Sequence, residues 1–448
     1  MDHAMIVGQV MHHCKRLIER VLDASDLQTV ATASLAIVDQ MREVARALLQ
    51  AKVDLEAHKL RRQAVPPCCP GASLRYIHTR TVQPTTLFGP ITIPVRTFQC
   101  EGCGTTHRPD DAPLGVPPVG EFTDDIRCLY TPLAAEVPHR VASDIFTRFT
   151  GVALSSRGAQ SLIDSSAADH RNWRHQAEQQ EHATVAEVLA SDDASQLRLE
   201  IAMDGVKAHI DGRWQEPKVA TILVRRLPTR PKVPTRGAVL ARRYICVLGS
   251  AEELVGRLKA VIRAAGWASI PIAEILGDGA AWIWNVATAH FRGVRQTLDY
   301  YHLSEHLYAF AHLLYADTPE RAKAWVEEKL AALLTDRVGD VLGALKRMRP
   351  RQPTVREGLR ELLGYVGHNR DRIHYKVPWH QGLAVGSGSV EGACKHIIQA
   401  RFKRAGMRWK QHGFLNVLEL RLSRLNMTLE AFWASYGLKT SAALYPTL

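Results

Sequence analysis

Apolar positions in the first 63 residues recur at three- to four-residue steps. Leu27, Ala31, Val38, Met41, Ala45, Leu48 and Leu55 fall on one helical stripe. Residues 1–63 are therefore expected to be helical, with the stripe lying on the protein's own core or pairing with a second protomer. The period changes over 64–118, which is rich in Pro, Gly, Thr and Val, and the short runs 74–81 and 91–98 read as strands. Helical spacing returns over 119–195. Within it, 141–163 reads as a helix, a turn at Gly151 and a second helix capped by Ser155 or Ser156. Strand periods take over at 196–302. An apolar run ending at Met203 is followed by 206–210, 219–224 and 244–248, a helix over 252–265, a strand over 272–276, a helix over 280–290 and a further apolar run, 294–298. Residues 303–380 read as helices, one of them opened by Thr318-Pro319, and 381–448 close the chain with basic helices.

Three antiparallel strands followed by alternating helices and strands make a mixed α/β sheet, and this is the element order of an RNase H-like core. The expected architecture has six parts. A helical N-terminal region (1–63), a zinc-ribbon-like module (64–118) and a helix-turn-helix region (119–195) precede the catalytic core. The first part of that core (196–302) is followed by an all-helical insertion (303–380) and the completion of the core (381–448).

The apolar runs end on acids. Asp204 and Asp278 each close a strand and are each followed by Gly. A single Asp-Gly is most often a turn, as Asp211-Gly212 should be, but two of them in a sheet of this order suit an ion-binding role. A third acid, Glu391, follows the turn Gly386-Ser-Gly-Ser in the first turn of a helix, where a simple capping role is the competing reading. No acid separates Glu391 from Glu419, whereas Lys395, Arg401, Lys403, Arg404, Arg408 and Lys410 crowd together there. Three carboxylates beside a phosphate-ready segment suit two Mg²⁺ or Mn²⁺ ions roughly 4 Å apart and in-line phosphoryl transfer without a protein nucleophile.

Eight cysteines in 448 residues do not make a disulfide scaffold. Cys100-Glu-Gly-Cys103 is a good metal knuckle, and Cys69 is its expected partner across the strands. Cys68 beside Cys69 is an awkward pair, so either His78 or His107 completes a structural Zn²⁺ site or the module has decayed to a metal-free fold. The net charge of +12 favours a polyanionic partner. Arg157 and Gln160, on the second helix of the helix-turn-helix, are placed to meet a DNA groove. The acid-free segment 225–236 reads as a DNA-binding arm or a solvated hairpin tip. Trp282 and Trp284 read as core residues or as a platform for an unpaired base. No apolar run approaches the roughly 20 residues that span a bilayer, and the first twenty residues lack a secretory pattern. A cytoplasmic, nucleoid-associated protein is expected.

Four blocks carry a family resemblance: Met203-Asp204-Gly205; Gly277-Asp278-Gly279-Ala-Ala-Trp282-Ile-Trp284-Asn285; Asp299-Tyr-Tyr-His302-Leu-Ser-Glu305-His306; and Gly386-Ser-Gly-Ser-Val-Glu391-Gly-Ala-Cys394-Lys395, running on to Trp409. Over about residues 65–425 the chain resembles bacterial insertion-sequence transposases of the Kra type, which are similar to the Mutator-like branch of the DDE transposases. The resemblance implies that Asp204, Asp278 and Glu391 are the acid triad. It also implies that Asp299 and His302 form an Asp-x-x-His element; read from the residues, His302 is a candidate DNA-phosphate or general acid/base contact. The implied partners are the element's terminal inverted repeats and target DNA, bound by a homodimer or higher oligomer. A catalytically inactive DNA-binding repressor and an RNase H-like structure-selective nuclease are the competing readings.

Overall fold

The computed structural model describes residues 3–23, 29–65, 67–117, 121–179, 194–228 and 236–438. Its contacts divide the chain into one unit of Met1–Asp169 with Glu430–Leu448 and a second of His170–Leu429.

The first unit opens with α1 (His3–Asp23) and α2 (Val30–Arg61). Thr29 and Thr32 cap α2 reciprocally, and this fixes where the helix begins. The apolar stripe does not lie on the core of the chain: Val38, Met41 and Leu48 are exposed. Leu27 falls outside the described residues. The buried contacts come from the other end of α2, where Val53 packs with Ile91, Ile93 and Val95 in a small core. That core lies under β2 (Ile93–Cys100), the centre of an antiparallel sheet flanked by β1 (Leu74–Val82) and β3 (Thr106–His107). Three helices follow: α3 (Asp124–Glu136), α4 (His139–Thr150) and α5 (Ser156–Gln179). Between α4 and α5, Gly151 takes the left-handed φ of 73° that a side chain would resist, and Ser155 Oγ accepts a hydrogen bond from the Gly158 N–H at 3.0 Å.

The second unit is built on a mixed five-stranded sheet of β4 (Leu197–Gly205), β5 (Lys218–Arg226), β6 (Ala238–Val247), β7 (Ile272–Gly277) and β8 (Arg295–Leu298). The strand order is β6-β5-β4-β7-β8. β4, β5 and β6 pair antiparallel, while β7 runs parallel to both β4 and β8. Beyond β4, Asp211 (φ 49°) and Gly212 (φ 77°) turn a small hairpin of Ala208–Ile210 and Arg213–Gln215, so this Asp-Gly is a turn as expected.

Helices α6 (Ala251–Ala264) and α7 (Ala281–His290) connect the parallel strands. After β8 come α8 (Tyr300–Leu314), α9 (Pro319–Leu334), α10 (Val338–Arg347), α11 (Pro353–His368) and α12 (Lys376–Gln381). Leu307, Phe310, Val326 and Leu359 from these helices share one continuous core with Ile201, Ile222 and Ile275 of the sheet. The short α13 (Gly388–Ala393) leads into a π-helical turn, Cys394–Gln399, and α14 (Gln411–Leu425) follows.

The middle of the sheet holds charge. Glu200 on β4 is 2 % exposed and Arg225 on β5 is 1 % exposed, and they pair at 2.5 Å. Glu200 also accepts the Ala384 N–H at 2.6 Å, and Arg225 donates to the Gly237 carbonyl. Arg225 therefore belongs to the core and not to the basic arm read over 225–236, because its length lets the guanidinium reach inward to a buried carboxylate. Positions 229–235 of that arm fall outside the described residues. Arg225→Ala would strand Glu200 without a counter-ion. We expect it to cost about 3 kcal/mol, seen as a lower urea midpoint with an unchanged slope. A loss below about 1 kcal/mol would mean that the pair is dispensable.

Candidate active site and metal centre

The sheet register brings the acids together. Leu276 pairs with Ala202, so two residues further on Asp278 stands level with Asp204. Gly277 pairs with Leu298, so Asp278 and Asp299 are neighbours in turn. Three aspartates thus sit side by side at the carboxyl ends of three neighbouring parallel strands, the edge where open α/β sheets bind ligands.

Each aspartate is held differently. The Asp204 carboxylate accepts the Gly205 N–H at 2.6 Å and faces the Cys394 thiol at 3.5 Å. Its pKa is raised above the ordinary carboxylate range, first by burial and then by the charge of Asp278, while Gly205, Cys394 and His302 pull the other way. Asp278 accepts the Ala280 N–H at 2.9 Å, and its carbonyl accepts the Tyr365 hydroxyl at 2.7 Å. Gly279 between them has φ 108°, and a Cβ there would lie 3.0 Å from the Tyr365 ring, so glycine is required.

Asp299 is 3 % exposed and spends its oxygens on the fold. One accepts the Tyr301 N–H at 2.6 Å at the start of α8; the other accepts the N–H and hydroxyl of Ser387. It is a positioning residue that ties α8 to the turn before α13. His302 is half-exposed beside Glu305 at 3.4 Å. His306 is stacked on Tyr365 with ring centroids 3.8 Å apart.

Glu391 stands apart. Its helix is fixed to the sheet by Ser389 against Thr221 (3.1 Å) and by Cys394 against Asp204. Its own carboxylate is exposed and takes the Lys395 ammonium at 2.5 Å, one helical turn on. Among the described residues, Asp204, Asp278 and Glu391 do not gather within the reach of one ion.

The basic segment is mixed. Lys403, Arg404 and Arg408 are exposed, and Arg404 Nε donates to the Ala400 carbonyl at 2.8 Å. Arg401, read from the sequence as a DNA contact, is corrected to a core residue. It is 1 % exposed, and its guanidinium lies 4.9 Å from the centroid of Trp409. A side chain sealed in this way is packed against aromatic faces and not offered to solvent. Arg157 is exposed on α5, while Gln160 is half-buried and donates to Asp164 at 2.8 Å. Trp284 is buried, and Trp282 is half-buried with Lys218 5.4 Å from its ring centroid.

In the first unit, Cys68, Cys69, Cys100 and Cys103 place their sulfurs within 4.8 Å of one another and could hold a metal ion such as zinc. This corrects the expectation for the fourth ligand: Cys68 supplies the sulfur. The exposed His78 is not in the group, and His107 Nε2 meets Cys68 Sγ from outside at 3.2 Å. Local backbone makes the adjacent pair workable. Gly71 (φ 76°) turns the chain after Cys69, and Gly104 (φ 73°) turns it after Cys103. A Cβ on Gly102 would come within 3.2 Å of Cys69, so that glycine lets the two knuckles approach. The thiols share protons unequally. Hydrogen bonding to the Thr105 side chain and main chain draws Cys103 down to about 6, and contact with Cys103 and Cys100 pushes Cys68 up to about 12.

No family model and no curated protein sequence matches the chain. Among solved structures, the Drosophila P element transposase strand transfer complex is similar with a TM-score of 0.31 and 12 % identity, over 68 % of this chain and 92 % of that chain. No helix among the described residues is long and apolar enough to cross a membrane.

Proposed function

We propose that the chain is a DNA transposase with an RNase H-like core, cutting DNA at the ends of its element and joining those ends to a target. The single observation that carries this reading is the row of carboxylates at the carboxyl ends of adjacent parallel strands, with Asp204 and Asp278 level with each other. Burial, and then the charge of Asp278, hold Asp204 above the ordinary range, and a divalent cation would offset both, so the donor set fits hard cations. Bound Mg²⁺ or Mn²⁺ would supply Lewis-acid activation and charge neutralisation at the scissile phosphate.

The chain's own residues supply position. The Gly205 and Ala280 N–H groups orient the two carboxylates, Tyr365 fixes the backbone of Asp278, and Asp299 holds the turn that leads to Glu391. Glu391 completes the set when its carboxylate leaves Lys395, and a DNA phosphate arriving at Lys395 gives it reason to leave. Lys403, Arg404 and Arg408 hold phosphates beside it. The paired state of Glu391 also favours a second reading, a protein that binds repeats without cutting them.

The test is incubation of the full chain with labelled duplex carrying its flanking inverted repeats, with Mg²⁺ or Mn²⁺ and with EDTA. Metal-dependent cuts at the repeat ends support the transposase. Repeat binding without cuts selects the second reading, and neither binding nor cutting rejects both.

The basic segment gives a sharper contrast. Lys403→Ala should weaken duplex binding similarly across sequences and lower the salt slope by about 1, with stability unchanged. Arg401→Ala should instead lower stability through lost aromatic packing, and its salt slope should stay as in the parent. Fluorescence anisotropy at several salt concentrations, beside a melting curve, reads both. Equal salt slopes in the two variants would remove the distinction.

A further inference from the structure

Opposite the aspartates lies a cavity of about 430 Å³, lined among others by Arg198, Arg295, His380, Gln381 and Leu383. Arg198 is the second residue of β4 and Arg295 the first of β8, so the cavity sits where the parallel strands begin. Among the described residues, no acidic side chain lines it.

Among the described residues, no lining side chain offers a counter-charge. Arg295 Nη1 is buried with no hydrogen-bond partner. Arg198 donates Nη1 to the carbonyls of Ser195 and Leu197, and among the described residues neither arginine has an ion pair. The acid nearest in character is Glu274, fully buried, with one oxygen on the Thr297 hydroxyl at 2.8 Å. Burial, and then the charge of Glu200, pushes Glu274 up, while Arg295, its register partner on the neighbouring strand, pulls it down. The Glu200 charge is already matched by Arg225.

We propose that this cavity binds a small phosphorylated molecule, its phosphate held by Arg295 and Arg198 with His380 at the mouth. Two guanidinium groups in one cavity call for an oxyanion of more than one charge, which a phosphate monoester or a pyrophosphate supplies. A cavity of this volume is the size of a small-molecule site, whereas a duplex presents a convex backbone with one charge per phosphate. The inference does not rest on the transposase reading and concerns the opposite end of the sheet.

The experiment is calorimetric titration of the full chain with sodium pyrophosphate in physiological salt, for the parent and for Arg198→Gln, Arg295→Gln and His380→Ala. Arg198 is half-exposed at a strand end, so its variant tests the site even where Arg295→Gln lowers stability. The expected result is one saturable site, weakened at least tenfold in both arginine variants and less in His380→Ala. Three results would overturn the proposal. They are no saturable binding to the parent up to about 1 mM, equal affinity in the parent and Arg198→Gln, and loss of duplex affinity in the variants with pyrophosphate affinity retained.

Discussion

Asp278→Asn is expected to remove repeat-end cleavage by about 10³-fold or more while leaving the protein folded, and Asp204→Asn to do the same. The change is nearly isosteric, and an Asn carbonyl can still accept the Ala280 N–H that Asp278 Oδ1 accepts at 2.9 Å. What disappears is charge. Asp204 is held above its ordinary range by burial and by Asp278, so at neutral pH the two carboxylates destabilise each other in the absence of cations. For a carboxylate raised in the folded state, the penalty is felt above its unfolded pKa and vanishes at lower pH, where the group is protonated in both states. Removing Asp278's charge relieves that penalty at neutral pH. The variant's melting temperature in EDTA should therefore match or exceed the parent's, and the gap should close as the pH falls through the carboxylate range. A protein that is dead yet no less stable is the signature of an acid kept for chemistry. Melting curves beside a cleavage time course decide the matter. Cleavage within about tenfold of the parent would sink the assignment. A large drop in melting temperature would make Asp278 a residue of the fold instead.

The parts of this site that were legible in the sequence are those in which one local pattern determines one outcome. An apolar run ending in Met203-Asp204-Gly205 can scarcely be other than a buried strand with its acid at the exit, and the same holds at Leu276-Gly277-Asp278. Thr318-Pro319 opens α9 at the position read for it, since proline suits a first helical turn. What stayed hidden depends on partners remote in sequence. Arg401 looks the same as Lys403 in a basic run, and only the stacking of Phe402 and Trp409 shows that it is buried. Arg225 stood among arginines and prolines, but its partner Glu200 is on the neighbouring strand. Tyr365, which pins the backbone of Asp278, comes from a helix whose sequence does not say which side chain it turns toward the sheet. Cys394 lay within a quoted motif, yet nothing in the motif says that its thiol reaches Asp204. Charge and hydrophobicity fix local structure, whereas burial of a polar side chain is decided by what folds against it.

The cysteine module should be the least able of all parts to stand without a metal ion. Its sheet has one apolar side, from Ile93 and Val95, while Tyr76 and Ile77 on β1 are exposed, so little apolar burial holds 68–107 together. Four thiolates around zinc at about 2.3 Å stand roughly 3.8 Å from one another. Here Cys68 and Cys69 are 3.9 Å apart and Cys68 and Cys103 are 3.3 Å apart, close to that spacing before any ion is considered. One zinc per chain is therefore expected in protein purified under reducing conditions. Ligation in such modules is worth on the order of 10 kcal/mol. Chelation, or Cys103→Ser, should erase amide-exchange protection across β1 and β2 while β4, β5 and β7 in the other unit keep theirs. A colorimetric zinc assay and exchange mass spectrometry read the two halves of this expectation. Protection in β1 and β2 that survives full removal of zinc would show that packing alone sustains the fold, and the four sulfurs would then be the remnant of a site with no present structural task.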